Sequence, residues 1–218
     1  MSQKYMPIEI VYPYNAVFTL REAGEVNDSA QGVRERVLET AKAIYTNSDL
    51  GSVTMDEVAK AAGVGRATLY RHFRNRDDLV LAVIETEAVA IAGRVEKKIR
   101  GFDSPAQHII EGMVQAMDEI NKSQLFRAIF QSGGSSIVNR LLFDTDRLTN
   151  IGLEIMLPVV QRAQQSGELN TAMSLEMLVE WIMRMLISLI TVPSKQLNSK
   201  RAVRKMLYAT MLPVLEGP

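Results

Sequence analysis

Residues 54–73 read TMDEVAKAAGVGRATLYRHF, and this stretch decides how the first half of the chain folds. Thr54 followed three residues later by Glu57 is the capping-box spacing that opens a helix. The helix is short, because Gly63 interrupts it. Val64 plugs the turn with an apolar side chain, and Gly65 precedes a second short helix from about Arg66 to His72. Two short helices joined by a glycine-containing turn form a helix-turn-helix. In the second helix Leu69 and Phe73, four apart, face inward. Arg66, Ala67, Thr68, Tyr70, Arg71 and His72 are left outside.

Charge gives this shape a chemistry. The 218 residues carry 25 basic and 25 acidic side chains, a net charge of zero, so any signal for nucleic acid has to be local. From Lys60 to Arg76 the chain holds Lys60, Arg66, Arg71, Arg74 and Arg76 and no acidic residue. Basic side chains clustered around one helix neutralise phosphates, which supplies much of DNA affinity. The N-terminal part of such a helix meets base edges. There the fork of Arg66 matches guanine O6 and N7, and Ala67 or Thr68 meets a thymine methyl. Tyr70, His72 and Arg76 suit phosphates, Arg71 a groove wall. Thr54 and the free amides at the N-terminus of its helix suit another phosphate, and Gly65 leaves the amides of the second helix free.

Outward from this core the same pattern continues. AKAAGVGRATLYRHFRNRDDLV (59–80), with RERVLETAKAIY (34–45) and VTMDEVA (53–59) before it, closely resembles the DNA-binding signature of TetR-family regulators over about residues 34–81. The resemblance implies a homodimer that binds a palindromic operator in double-stranded DNA. It also implies a divergent C-terminal region where a small effector binds, moves the fourth helix and releases DNA. Three positions depart from the pattern. Asp49 stands where a glycine usually ends the first helix, Gly65 replaces a serine cap, and Ala67 occupies a common glycine position. These bear on which sequence is read more than on whether DNA is bound.

Helical periodicity covers nearly all of the chain beyond residue 31. Val33, Val37, Leu38, Ala41, Ile44 and Tyr45 line one face of a first helix, opposite Arg34, Arg36, Glu39 and Lys42. Asn75 caps a fourth helix with Asp77 and Asp78 in its first turn and a stripe of Val80, Ile84, Ala88, Ile91 and Val95 reaching about Ile99. Further helices fit 105–121, 124–132, roughly 135–165 with a break near 144–146 and a bend at Pro158, 174–192 and 199–215. Residues 1–30 differ: IEIVYPYNAVFTL (8–20) reads as an extended arm with a short edge strand, followed by a polar linker. Its aromatic part is expected to pack on the body or on a partner chain. The fold class is all-α: an N-terminal three-helix helix-turn-helix domain joined by a long helix to a helical ligand-binding and dimerisation domain. The expected divisions are 1–30 for the arm, 31–91 for DNA binding and 92–218 for ligand and dimer.

Nine of the twelve methionines lie beyond residue 100. Methionine fills irregular apolar space, which suits ordinary core and equally a cavity for a hydrophobic ligand. The residues expected at such a cavity are Met113, Met117, Phe126, Phe130, Leu142, Met156, Trp181 and Arg184. Arg184 and Glu180, one turn apart, either pair with each other or free Arg184 for a ligand carboxylate or a partner chain. By resemblance the last two helices form the dimer interface, through Met177, Trp181, Met185, Val203, Met206, Leu207, Thr210 and Met211.

Other classes are disfavoured. The chain has no cysteine, and its two histidines, His72 and His108, stand far apart in sequence, so no catalytic or metal constellation and no cofactor is expected. Leu175 to Val192 is nearly long enough to span a bilayer, but Glu176, Glu180 and Arg184 share one stripe of it. A cytoplasmic protein without a membrane partner is expected. The alternative to a ligand-responsive repressor is an all-α small-molecule-binding module without specific DNA binding, and the one-sign cluster argues against it.

Overall fold

A computed structural model describes residues 28–48, 50–102, 104–131, 146–165, 167, 169, 173–192 and 194–216. Nearly all of the N-terminal arm, Asp49 and Leu142 therefore lie outside the described residues. Nine helices and no strand occur among them: α1 (Asp28–Asn47), α2 (Met55–Ala61), α3 (Arg66–His72), α4 (Arg76–Ile99), α5 (Pro105–Lys122), α6 (Gln124–Gln131), α7 (Asp146–Gln165), α8 (Leu175–Thr191) and α9 (Lys200–Glu216). None of these is long and apolar enough to cross a membrane.

The described residues divide into two compact units, the first within residues 28–88 and 123–131, the second within residues 89–122 and 147–216. The first is built on α1, whose Val37, Leu38, Ala41 and Tyr45 are buried as their spacing predicts, while Val33 and Ile44 are half-exposed. α1 packs on α2 and on α6. The placement of α6 differs from a single cut at residue 91, and its apolar face explains why: Leu125, Phe126 and Ile129 are all buried. Ser123 fixes its start, accepting from the Phe126 amide at 3.4 Å and donating to Glu87 Oε1 at 3.1 Å. Lys42 of α1 donates to the same carboxylate. α4 begins without the amphipathic face its stripe predicts, since Leu79 to Ile84 are buried in succession. Six apolar residues in a row leave no polar side to expose.

Tyr45 is 1% exposed and its hydroxyl has no hydrogen-bond partner among the described residues. Burial pushes the phenol up to about 12, against the pull of Arg76. A buried hydroxyl without a partner costs about 1–3 kcal/mol. Tyr45→Phe keeps the ring, so it is expected to raise stability by about 1 kcal/mol in a denaturant melt. A lower midpoint than that of the parent would show that the hydroxyl is bonded.

The second unit is organised by α5. Ala106, Ile109, Ile110, Met113, Val114 and Met117 recur at helical spacing and form one core with Leu178 and Ile182 of α8 and Val203, Leu207, Met211 and Leu215 of α9. The other side of α5 carries carboxylates that neighbouring helices neutralise. Arg204 of α9 grips Glu111, Nε donating to Oε1 at 2.6 Å and Nη2 to Oε2 at 2.9 Å. Lys98 and Arg94 of α4 donate to the two oxygens of Glu119 at 2.6 and 2.8 Å. Glu87, Glu96, Glu111 and Glu119 are all buried, so these helix faces hold far more charge than their methionines and leucines foretell.

These pairs make stability pH-dependent. Lys98, then Arg94, hold the Glu119 carboxyl below its usual range, and Lys122 does the same for Asp118 with help from Lys200. A carboxylate depressed in the folded state stabilises fully above its unfolded pKa and loses that contribution as pH falls through the folded value. The melting temperature is expected to hold steady from about pH 7 to about pH 5 and to drop below that. Glu119→Gln is expected to be less stable at neutral pH and to show a shallower acid limb; an acid limb of unchanged slope would remove Glu119 from this account.

Candidate nucleic-acid interface

The local chemistry of residues 54–73 produces the geometry that their order implies. Thr54 has extended dihedrals and closes the capping box: its amide donates to Glu57 Oε2 at 2.7 Å, and the Glu57 amide donates to Thr54 Oγ1 at 3.3 Å. The Thr54 hydroxyl also donates to Glu57 Oε2, at 2.9 Å. The Thr54 amide bond, then its hydroxyl, draw the Glu57 carboxyl below the usual range. Thr54 is therefore engaged with its own helix, and a phosphate would have to compete with a carboxylate for its proton. α2 ends where Gly63 takes a φ of 65°, in the left-handed region that glycine adopts without a Cβ clash. The Val64 amide returns to the Ala59 carbonyl at 3.0 Å and seals the turn. Gly65 caps α3 through its carbonyl, which accepts from the Leu69 amide at 3.0 Å, with no side-chain bond.

α3 is held from within. Leu69 is 0% exposed and Phe73 is buried beneath it. Arg34 of α1 lies over the Phe73 ring, 5.4 Å from its centroid, and Arg36 Nε donates to the Ala62 carbonyl at 3.1 Å. Arg36 is exposed and Arg34 half-exposed, opposite the buried face of α1 as their spacing predicts. Both also brace the motif, and a contact across 26 residues in the case of Arg36 leaves no local signal.

The outward face carries Arg66, Ala67, Tyr70 and Arg71, all exposed, with Thr68 half-buried. The Arg66 side chain is 68% exposed. Its Cζ lies 5.6 Å from the Tyr70 ring centroid, and its Nη1 donates to Asp56 Oδ2 at 3.2 Å. The guanidinium is thus presented at the first turn of α3, between an aromatic ring and a carboxylate. Lys60 and Arg74 are exposed as well. Two residues expected at phosphates are placed differently. Arg76 is half-buried and donates through Nη1 to the Gly51 carbonyl at 2.9 Å, which secures the loop leading to α2. His72 is half-buried, its ring 6.4 Å from that of Phe73. Behind the motif Asn75 Oδ1 caps α4 by accepting from the Asp78 amide at 2.8 Å, as its position predicts.

Asp56 adds a negative charge that a count from Lys60 to Arg76 passes over. It opposes phosphates and holds Arg66, so Asp56→Asn is expected to raise affinity for nonspecific duplex roughly two- to fivefold at low salt. Anisotropy titrations that show no change would place Asp56 outside the field that DNA experiences.

The residues predicted at a ligand cavity come from both units. Met113 and Met117 are buried in the α5 core, with Met156 and Trp181 packed against it. Phe126 belongs to the first unit, and the Phe130 side chain lies outside the described residues. Arg184 is exposed and its Nε and Nη2 bond to Glu180 Oε1 at 2.8 and 2.6 Å. Of the residues expected at a dimer interface, Val203, Leu207 and Met211 face the chain's own core and are unavailable to a partner. Met177 is 60% exposed, Thr210 is exposed, and Trp181, Met185 and Met206 are half-exposed.

Residues 37–83 match the family model of bacterial regulatory proteins, tetR family. An uncharacterized HTH-type transcriptional regulator of Mycobacterium tuberculosis is 25% identical over 169 residues, 78% of this chain and 80% of the relative. The solved structure of the R. erythropolis transcriptional repressor QsdR, from the TetR family, superposes with a TM-score of 0.66 at 21% identity, over 86% of this chain and 98% of that one. RolR in complex with its ligand resorcinol superposes with a TM-score of 0.61 at 17% identity, over 86% and 89% of the two chains.

Proposed function

We infer that this chain, whose residues 37–83 match the tetR family of bacterial regulatory proteins, is a repressor of that kind, binding a pseudo-palindromic operator as a homodimer and responding to a small effector. It is a transcriptional regulator with a DNA-binding helix-turn-helix and a ligand-binding fold, and proteins of this kind are not enzymes. The observation that carries the finer reading is the outward face of α3. An arginine fork, a phenol and a second arginine stand on a short helix anchored by Leu69 and Phe73. Arg66 reads a base edge, and Tyr70, Arg71, Lys60 and Arg74 take backbone phosphates.

One seven-residue helix per chain reaches only a few base pairs, so two copies related by a two-fold axis are needed for a site of useful length. Met177 and Val192 of the α8 region and Val214 of α9 are exposed, and Trp181, Met185 and Met206 add half-exposed apolar surface. A second copy covers this strip in our reading. QsdR is described as a repressor and RolR binds resorcinol. The same division of labour, with a small effector held in the C-terminal unit, is proposed for this chain, acting in the cytoplasm where the DNA is.

Sedimentation velocity with a labelled duplex tests this. Two chains per duplex are expected, with a dimer persisting without DNA. A single chain bound per duplex would overturn the homodimer reading.

A further inference from the structure

We propose that the effector expected of this regulator binds in a cleft between the last turn of α5, the end of α8 and the start of α9, and that it is an uncharged molecule with an apolar face and hydroxyl groups. This rests on the ligand-responsive reading above and adds to it a place and a chemical class. The cleft measures about 480 Å³, within the range of sites for small molecules. Its walls have two characters. Met117, Leu189, Ile190 and Leu197 supply an apolar side. Asn121, Ser188, Ser194, Asn198 and Ser199 supply neutral hydrogen-bonding groups.

The hydroxyls keep protons to give. Ser194 Oγ accepts from the Gln196 and Leu197 amides at 3.2 and 3.1 Å, and Ser199 Oγ accepts from the Ala202 amide at 3.2 Å. An oxygen occupied as an acceptor still carries its own donor. The exposed carboxamides of Asn121 and Asn198 offer both donor and acceptor. Among the described residues the charged lining groups are Asp118 and Lys200, and they already satisfy each other. Lys200 Nζ donates to Asp118 Oδ2 at 3.2 Å and to Gln115 Oε1 at 2.7 Å, and Asp118 Oδ2 also takes Lys122 Nζ at 2.7 Å. An anionic ligand would face the Asp118 carboxylate and would have to draw Lys200 away from two partners. A purely apolar ligand would leave the serine hydroxyl protons and the asparagine carboxamides without partners. A neutral molecule with hydroxyls avoids both costs.

Lys200 also fastens the first turn of α9 to α5. A ligand in the cleft touches that turn and Asn121, one residue before the last residue of α5. Occupancy is therefore read at the end of the helix from which the chain passes to Ser123 and α6.

Isothermal titration of the full chain with three probes of one shape tests the proposal: 1-phenyl-1,2-ethanediol, phenylacetate and ethylbenzene. The diol is expected to bind at least about tenfold more tightly than either isostere, as two neutral hydrogen bonds imply. Asn121→Leu with Asn198→Leu is expected to abolish that preference while leaving the melting temperature, the dimer and DNA binding in the absence of ligand unchanged. A preference for phenylacetate or ethylbenzene, diol binding that survives the double substitution, or no binding by any probe would overturn the proposal. The DNA arm separates the outcomes: if a probe binds elsewhere and still reverses DNA binding, the ligand-responsive reading stands without this cleft.

Discussion

Arg66→Ala is expected to weaken binding to the cognate duplex by roughly 10- to 100-fold, the worth of one bidentate base contact. The side chain stands at the first turn of α3, stacked near Tyr70 and held by Asp56, so little ordering remains to be done when it meets a base. Arg66→Lys separates charge from geometry. Lysine keeps the positive charge but lacks the fork, so nonspecific affinity is expected to survive while discrimination at one base pair relaxes. Tyr70→Ala removes a phosphate-side contact and the ring beneath Arg66, and it is expected to lower affinity more evenly across sequences. Mobility shifts with the cognate duplex and single-base variants measure all three. Affinities unchanged by Arg66→Ala and Tyr70→Ala together would mean that another surface reads DNA.

Arg204→Met is expected to destabilise the chain by about 3–5 kcal/mol, the cost of stranding a buried partner of an ion pair. The asymmetry of burial sets the direction. Glu111 is 2% exposed and depends on Arg204 for its charge balance, whereas the Arg204 side chain reaches solvent. Glu111→Met strands a group that water can still reach, so its cost is expected to be distinctly smaller. The double substitution replaces the pair by apolar volume and is expected to recover most of the loss. Equilibrium unfolding of the three variants gives the comparison. If Glu111→Met proves the more damaging single change, the pair is not held as described.

How much of this was legible in the chain follows from the range of each interaction. Thr54 and Glu57 are three residues apart, and Leu69 and Phe73 four, so the motif announces itself in a short window. Asn75 before Asp78 is equally local. The bond from Arg66 to Asp56 crosses the turn over ten residues, and a charge count that starts at Lys60 begins four residues too late to see it. Arg204 and Glu111 are 93 residues apart and meet only because α9 packs on α5. The same packing turns Val203, Leu207 and Met211 into core, although their spacing alone suits a partner helix equally well. Periodicity also fails where both sides of a helix are enclosed, as at Leu79 to Ile84. The cleft at the end of α5 draws on three elements, and the charges that define its character are matched across more than eighty residues.

Two copies of α3, one per chain, are proposed to read DNA in a sequence-specific way. Selection of bound duplex from a random pool by this 218-residue chain is the test. Enrichment of a pseudo-palindrome is expected, with half-sites about one helical turn of DNA apart or a multiple of it, and the enrichment lost in Arg66→Ala. A pool that remains random after repeated rounds, or one enriched equally by Arg66→Ala, would contradict it.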